Sequence, residues 1–368
     1  MSESGAGSLE AYLEDAIRDG VTPGAVAWVR EGERVLHRSA HGMAEVAPEP
    51  RPMRLDTPFD LASLTKPLAT ALLAVTLGRE LGLCPDTPAG RLLPELDDLD
   101  HRDITLRHLL THSSGLPAWR PLFLHGEDAH GFLRRLGEEP LAAPTGRRVL
   151  YSDPGYMAAG EMVARAAGTS LDAIFREAIA RPCGAAVGFR PEAESAARAA
   201  ATENGQEFER ELAGAEGQGY RGFREGRIRG EVHDHHAWIA GGVLGSAGLF
   251  ADAAALDALA RELLEPRALR IPGDARERLT GRREDVRGEP RSEGFILNLG
   301  GDSSGGPSLE RGAFGHTGFT GTSLWIEPGR GRLYILLTNR IHPRVRHVDM
   351  LAFRQGFHRV AAALPAGR

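Results

Sequence analysis

The sequence predicts an α/β protein of the α+β kind, with one sheet assembled from both ends of the chain around an inserted, mainly helical region. Three observations predict it. Runs rich in β-formers lie near the start, at Gly24 to Arg30 and Arg34 to Ala40, and again near the end, at Gly294 to Leu299, Gly321 to Glu327 and Arg332 to Asn339. Between them, from Ser63 to about Leu264, the apolar residues recur at helical spacing. Strands at both termini with helices between them place the sheet region at about 1–60 and 290–368 and the helical region at about 61–289, within one domain spanning 1–368.

Each element has its own signal. Leu9, Tyr12, Leu13, Ala16 and Ile17 form one helical stripe, with Ser8 as cap and Gly20 as stop. Glu31-Gly32-Glu33 joins the first two β-runs as a hairpin. A proline-rich link from Ala47 to Pro58 then delivers the chain to Ser63. Ser170 opens a helix whose Leu171, Ile174, Phe175 and Ile179 share a face, and Leu256, Leu259 and Leu263 mark another. Glu192 to Arg229 shows little periodicity and reads as a long irregular excursion at the rim of the site. After the helix marked by Leu256, Leu259 and Leu263, a charged arginine-rich linker runs to about Arg291, and Val348 to Ala363 closes the chain as a helix.

Composition bounds the function. With 368 residues, 42% hydrophobic and 26% charged, the chain buries a large core. Its net charge is −6, with arginines scattered among acids, which argues against nucleic acid or an anionic membrane as partner. Cys84 and Cys183 are too few for a disulfide framework. Met1 to Gly7 lacks a basic stretch followed by an apolar run, and no apolar stretch approaches ~18 residues, so a cytoplasmic location is expected.

One stretch stands out. Of the 44 basic residues only Lys66 is lysine, within Leu61-Ala62-Ser63-Leu64-Thr65-Lys66-Pro67. Arginine substitutes for lysine as a surface charge but not as a proton acceptor, since its pKa exceeds ~12. A desolvated lysine with cationic neighbours gives up its proton readily. Ser63 stands three residues earlier, and the residues after it read as a buried helix through Leu68, Leu72 and Val75. Hydroxyl and amine then share a face, at a helix start whose free N–H groups favour developing negative charge. Two further stretches bear on it. Tyr151-Ser152-Asp153 brings a phenol suited to relaying protons beside an ammonium, and Phe314 to Ser323 is rich in glycine, as close approach of a ligand or backbone requires.

Ser63-Leu64-Thr65-Lys66, Tyr151-Ser152-Asp153 and His316-Thr317-Gly318, in that order, resemble the serine β-lactamase and penicillin-binding protein superfamily, nearest its class C-like branch. Ile104 to Pro117, with Thr111-His112-Ser113-Ser114-Gly115-Leu116, and Val232-His233-Asp234 leading into Gly241-Gly242-Val243 are similar to that family too. The resemblance spans about 20 to 340. It implies an antiparallel sheet flanked by terminal helices, with the site in a cleft against the helical region. By it Ser63 is the nucleophile, Lys66 accepts its proton, and Tyr151 passes protons to the leaving group and from the deacylating water. The backbone N–H groups of Ser63 and Phe319 form the oxyanion hole, and Asp153, His316, Thr317 and Gly318 line the substrate. No metal or organic cofactor is implied.

Two departures shape the expected chemistry. His316 stands where lactamases and cell-wall peptidases typically carry lysine, and Asp153 where asparagine is usual. A largely neutral imidazole and an added carboxylate both disfavour an anionic substrate at that point. The expectation is therefore an esterase or amidase acting through an acyl-enzyme, most like a carboxylesterase, on a small ester, amide or peptide. D-alanyl carboxypeptidase, muropeptide amidase and weak β-lactamase activities are the alternatives, and a non-turnover acyl- or peptide-binding protein of the same fold is the non-enzymatic one.

Two rival motifs carry less. Gly301-Asp302-Ser303-Ser304-Gly305 matches a nucleophile elbow, but no helix pattern follows it. His233-Asp234-His235-His236 offers metal ligands, but adjacent residues rarely converge on one ion, so histidines at a loop or cleft rim, bonded through backbone and Asp234, are expected.

Overall fold

The computed structural model describes residues 8–124, 128–281, 287–300 and 302–366. Met1–Gly7, residues 282–286 of the arginine-rich linker and Gly301, on which three of the readings above fall, lie outside these residues.

Seven strands form the main sheet: β1 (Gly24–Glu31), β2 (Arg34–Glu45), β3 (Arg51–Pro52), β4 (Ile296–Leu297), β5 (Phe314–Thr317), β6 (Ser323–Glu327) and β7 (Arg332–Thr338). Their order is β3-β2-β1-β7-β6-β5-β4, all antiparallel. The termini meet at the centre, where Ala27 of β1 faces Leu336 of β7. The central strands read as continuous hydrophobic runs because both faces are covered. Ala25, Ala27, Val29, Tyr334 and Leu336 point to one side, against helices α1 (Leu9–Arg18) and, at the other end of the chain, Met350–Ala362. Val26, Trp28, Leu333, Ile335 and Leu337 point to the other, against Leu64, Leu68 and Leu72 of the helical region. This alternation is the period of two that a strand imposes.

The helical region is built around α2 (Asp153–Ala167), α3 (His235–Ile239) and α4 (Ala253–Leu264), with α5 (Met350–Ala362) closing the chain. A small sheet of Phe59–Asp60, Leu249–Ala251 and Gly188–Phe189 stitches it to the nucleophile segment.

The structure departs from the sequence reading in two places. A strand, β5, occupies Phe314–Thr317, a stretch the sequence reading marked only for close approach of a ligand or backbone. Gly315 has no side chain because a Cβ there would lie 2.4 Å from the Trp325 ring. Residues 192–229 are ordered rather than irregular: helices Ala193–Arg198 and Glu207–Ala213 flank a ribbon of Ala201–Asn204 with Arg227–Arg229. The ribbon is anchored ionically, since the buried Glu45 carboxylate meets Arg51, Arg227 and Arg229 at 2.9–3.0 Å.

Candidate active site

Ser63 sits on a tight turn, Ala62–Leu64, at the head of a buried helical run, with a π-helical stretch over Lys66–Ala71 and an α-helical one over Leu72–Thr76. The turn is held in a conformation that side chains disfavour, with Ala62 at φ 47°. Asp60 fixes it: Oδ1 accepts from Ala62 N at 2.8 Å and Oδ2 from His233 N at 2.7 Å. Burial pushes the Asp60 carboxyl up, which makes these donors its compensation. The next turn is latched by Thr65 Oγ1, which accepts from Leu249 N, and by Thr70 Oγ1, which donates to Gly245 O.

Lys66 is buried, and three acceptors use its three N–H bonds. They are Ser63 Oγ at 3.0 Å, the Ser246 carbonyl at 3.0 Å and Asp153 Oδ1 at 2.7 Å. Burial pulls its pKa down, but the Asp153 carboxylate and Tyr151 outweigh burial and hold it above the ordinary lysine value. The sequence reading supposed cationic neighbours and ready loss of the proton. The immediate partner is instead an anion, so the resting lysine is an ammonium.

Tyr151 packs in a cage of basic groups. His112 stacks on its ring at 4.3 Å between centroids, Lys66 Nζ lies 5.1 Å from its centre and Arg291 Cζ 5.2 Å. His112, in the left-handed region at φ 55°, accepts from Ser152 N through Nδ1 at 2.9 Å. Ser152 in turn caps α2 by accepting from Gly155 N, which fixes where Asp153 begins the helix.

His316 requires a correction. It was expected to line the substrate, yet it is buried on β5, with Nδ1 2.8 Å from the Thr317 carbonyl and its ring 6.1 Å from Tyr151. Strand alternation turns it inward, while Thr317, Gly318 and Phe319 line the cleft. Burial, Arg291 and Lys66 together push its pKa well below the ordinary histidine value, leaving it neutral. Gly318 permits close approach, for a Cβ there would lie 2.5 Å from the Leu61 carbonyl beside the nucleophile.

These residues converge on a cleft of about 470 Å³ lined by Ser63, Tyr151, Asp153, Thr317, Gly318 and Phe319, with Trp119, Phe208 and Leu212 as apolar walls. Phe208 and Leu212 come from the 192–229 segment, so that segment does form part of the rim. The Phe319 ring packs at a tilt against Phe208, with centroids 4.8 Å apart, and stacks on His233 at 5.7 Å. The three histidines of the His233–His236 stretch diverge: His233 Nε2 meets Glu203, His235 Nε2 meets the Tyr220 hydroxyl, and His236 Nε2 accepts from Leu122 N. Among the described residues no group of such side chains is arranged to hold a metal. Ser303 Oγ donates to Asn298 Oδ1, and the chain after it makes turns into β5 rather than a helix, so it forms no nucleophile elbow.

Sequence reasoning missed four contributors. Ser246 and Arg291 lie far along the chain with no motif around them. Arg340 and Arg354, which also line the cleft, look like ordinary arginines in a chain full of them. His112 was quoted as part of a family-like stretch without a role, and its stacking on Tyr151 supplies one.

A family profile described as Beta-lactamase matches residues 9–356. The chain belongs to the Beta-lactamase family. Among its relatives, Esterase EstB of Burkholderia gladioli is 38% identical over 199 residues, covering 49% of this chain and 50% of that protein. The N-acetylmuramyl-L-alanine amidase of Bacillus subtilis (strain 168) is 28% identical over 360 residues, covering 88% of this chain and 78% of that one. The fold matches a penicillin-binding protein homologue from Caulobacter crescentus with a TM-score of 0.73 at 21% identity, over 97% of this chain and 96% of that one. This member of the Beta-lactamase family is a serine hydrolase. No helix among its described residues is long and apolar enough to cross a membrane.

Proposed function

We propose that Ser63 is the nucleophile of a carboxylesterase-like hydrolase that forms an acyl-enzyme with small esters or amides, in the cytoplasm and as a single catalytic domain. The observation that carries this reading is the 3.0 Å hydrogen bond from the buried Lys66 ammonium to Ser63 Oγ, at the floor of the cleft. In acylation Ser63 Oγ attacks the carbonyl carbon while the Lys66–Tyr151 pair, whose resting lysine is an ammonium, gives one proton to the leaving group and takes the Ser63 proton in its place. The N–H groups of Ser63 and Phe319 receive the oxyanion, each worth about 3 kcal/mol in the transition state. Water then attacks the acyl-enzyme by the reverse proton route. A neutral His316 at the third motif supports ester over lactam turnover, because it supplies no cation there for a lactam carboxylate.

The test compares wild type with Ser63→Ala on 4-nitrophenyl butyrate, a chromogenic cephalosporin and a D-alanyl peptide, by rate and by intact mass. Rapid ester turnover that is lost in Ser63→Ala, with the cephalosporin ignored or only acylating Ser63, is the expected result. Ester turnover that persists in Ser63→Ala removes Ser63 as nucleophile, and efficient cephalosporin or peptide hydrolysis replaces the esterase reading.

A further inference from the structure

Glu203, on the ribbon strand Ala201–Asn204, is buried, and both of its carboxylate oxygens are committed. Oε1 accepts from the Phe208 main-chain N–H at 3.1 Å, and Oε2 lies 2.9 Å from His233 Nε2. His233 is itself only 3% exposed. Its main-chain N–H donates to Asp60 Oδ2 on the segment that leads to the nucleophile, and its ring stacks on Phe319. A carboxylate accepts, so Nε2 carries the hydrogen of the imidazole and Nδ1 the lone pair.

Nδ1 has no hydrogen-bond partner among the described residues, and His233 lines the same cleft as Ser63. Packing alone does not account for this arrangement. A phenylalanine would stack on Phe319 equally well and would need no buried carboxylate beside it, which is costly to desolvate. Phe319, Phe208 and Leu212 keep the surroundings apolar, where an acceptor discriminates strongly between a ligand that offers a donor and one that does not. Glu203 polarises the ring and strengthens Nδ1 as that acceptor. Tyr151, which serves the leaving group, is packed by His112, Lys66 and Arg291, whereas His233 belongs to the Phe319 wall. The group that meets Nδ1 is therefore placed in the acyl part.

We propose that His233, oriented by Glu203, accepts a hydrogen bond from the acyl part of the substrate, and that the preferred esters or amides carry an O–H or N–H donor there. This rests on the Ser63 reading above. His233 is then a specificity-determining residue, and Glu203 a positioning residue that acts through it.

The experiment pairs esters that differ in the donor alone. 4-Nitrophenyl 3-hydroxybutyrate, in both enantiomers, against 4-nitrophenyl 3-methylbutyrate exchanges hydroxyl for methyl, and 4-nitrophenyl N-acetylglycinate against 4-nitrophenyl levulinate exchanges N–H for CH2. Each rate is divided by that of hydroxide-catalysed hydrolysis, which removes differences in intrinsic reactivity. Wild type should prefer the donor member at least about fivefold in kcat/KM in one pair, as one hydrogen bond to a buried acceptor implies, and the pair that shows it tells hydroxyl from amide. His233→Phe, which keeps the ring stack, should bring the ratio to about one. Glu203→Gln is the sharper variant. Its amide oxygen takes the Phe208 N–H, so its NH2 donates to His233 Nε2, moves the ring hydrogen to Nδ1 and turns the acceptor into a donor. The ratio should then fall below one. No donor preference in either pair, or an equal fall of both members in Glu203→Gln, overturns the proposal. Ester turnover that persists in Ser63→Ala removes the nucleophile without touching the subsite, which is read separately by calorimetry on Ser63→Ala with the anilides of the same acyl pairs. The anilide of the preferred donor acyl group should bind about fivefold tighter than its isostere and lose that margin when Glu203→Gln is added, and equal binding of donor and isostere in both pairs overturns the proposal.

Discussion

Replacing Asp153 by asparagine removes the carboxylate that keeps Lys66 charged and leaves burial, which favours the neutral amine, with its main opponent gone. Nζ and Oδ1 stand 2.7 Å apart, with the lysine side chain 1% exposed and the aspartate 24%. Removing one partner of a buried pair costs about 3–5 kcal/mol, and the partly exposed aspartate argues for the lower end, about 3 kcal/mol. That is a factor of about 150 in the protonation equilibrium, or a titration midpoint about two pH units lower. Lys66 is the only lysine in the chain, so lysine labelled with carbon-13 at Cε gives one side-chain resonance whose shift reports its protonation directly. In wild type the resonance should stay in the ammonium position up to about pH 10, the ordinary lysine range. In Asp153→Asn it should titrate about two pH units below the wild-type midpoint, and the alkaline limb of kcat/KM should follow it. Identical titrations in the two proteins would refute the claim that Asp153 sets the charge on Lys66.

Acid should destabilise the fold through its buried histidines. Burial pushes His235 and His358 down to about 3. The unfolded chain therefore binds protons that the folded chain refuses, and their stabilisation, complete above the ordinary value of about 6.5, is lost as pH falls below it. At pH 5.5 each costs about 1.4 kcal/mol, so urea midpoints at pH 7.5 and 5.5 should differ by about 3 kcal/mol in stability or more, and equal values would contradict the burial argument. Gly160→Ala should cost about 1–3 kcal/mol, because its Cβ would lie 2.6 Å from Gly245 Cα and press on the loop that offers the Ser246 carbonyl to Lys66. Gly188→Ala, with open space around its Cβ position, is the neutral control in thermal melts. Glu45→Gln leaves Arg51, Arg227 and Arg229 facing a neutral amide, and should cost about 3–5 kcal/mol while speeding proteolysis within 192–229. Unchanged cleavage there would mean the ribbon is held by something else.

What could be read from the chain was local. The serine–lysine spacing is a property of one helical turn, and the β-runs at the two ends follow from residue type and period. The missed features all depend on distance along the chain. Asp153 was expected at the site as a substrate-lining residue, but not its ion pair with Lys66 across 87 positions, and Ser246 meets Lys66 from 180 positions away with no motif around it. The 192–229 segment looked aperiodic because its helices are six and seven residues long and an ionic anchor, rather than an apolar stripe, secures it. His316 was placed correctly in sequence but on the wrong side of its strand, because glycines on both sides erased the alternation that would have shown which way it faces.

The two departures from the family pattern, read separately in the sequence, act on one charge balance in the structure. Lys66 and Arg291 both crowd Tyr151, and His316 feels both. A lysine at 316 would add a third cation to this partly dry cluster, where like charges repel by a few kcal/mol. Histidine avoids that by staying neutral, and aspartate at 153 goes further by supplying an anion directly to Lys66. Both changes lower the positive charge around the proton-transfer groups, while Arg340 and Arg354 keep it at the Phe319 side of the cleft. His316→Arg should lower the Lys66 titration midpoint, as Asp153→Asn does, because a nearby cation favours the neutral amine; an unmoved midpoint in a folded His316→Arg protein would show that the two residues do not act on one charge balance.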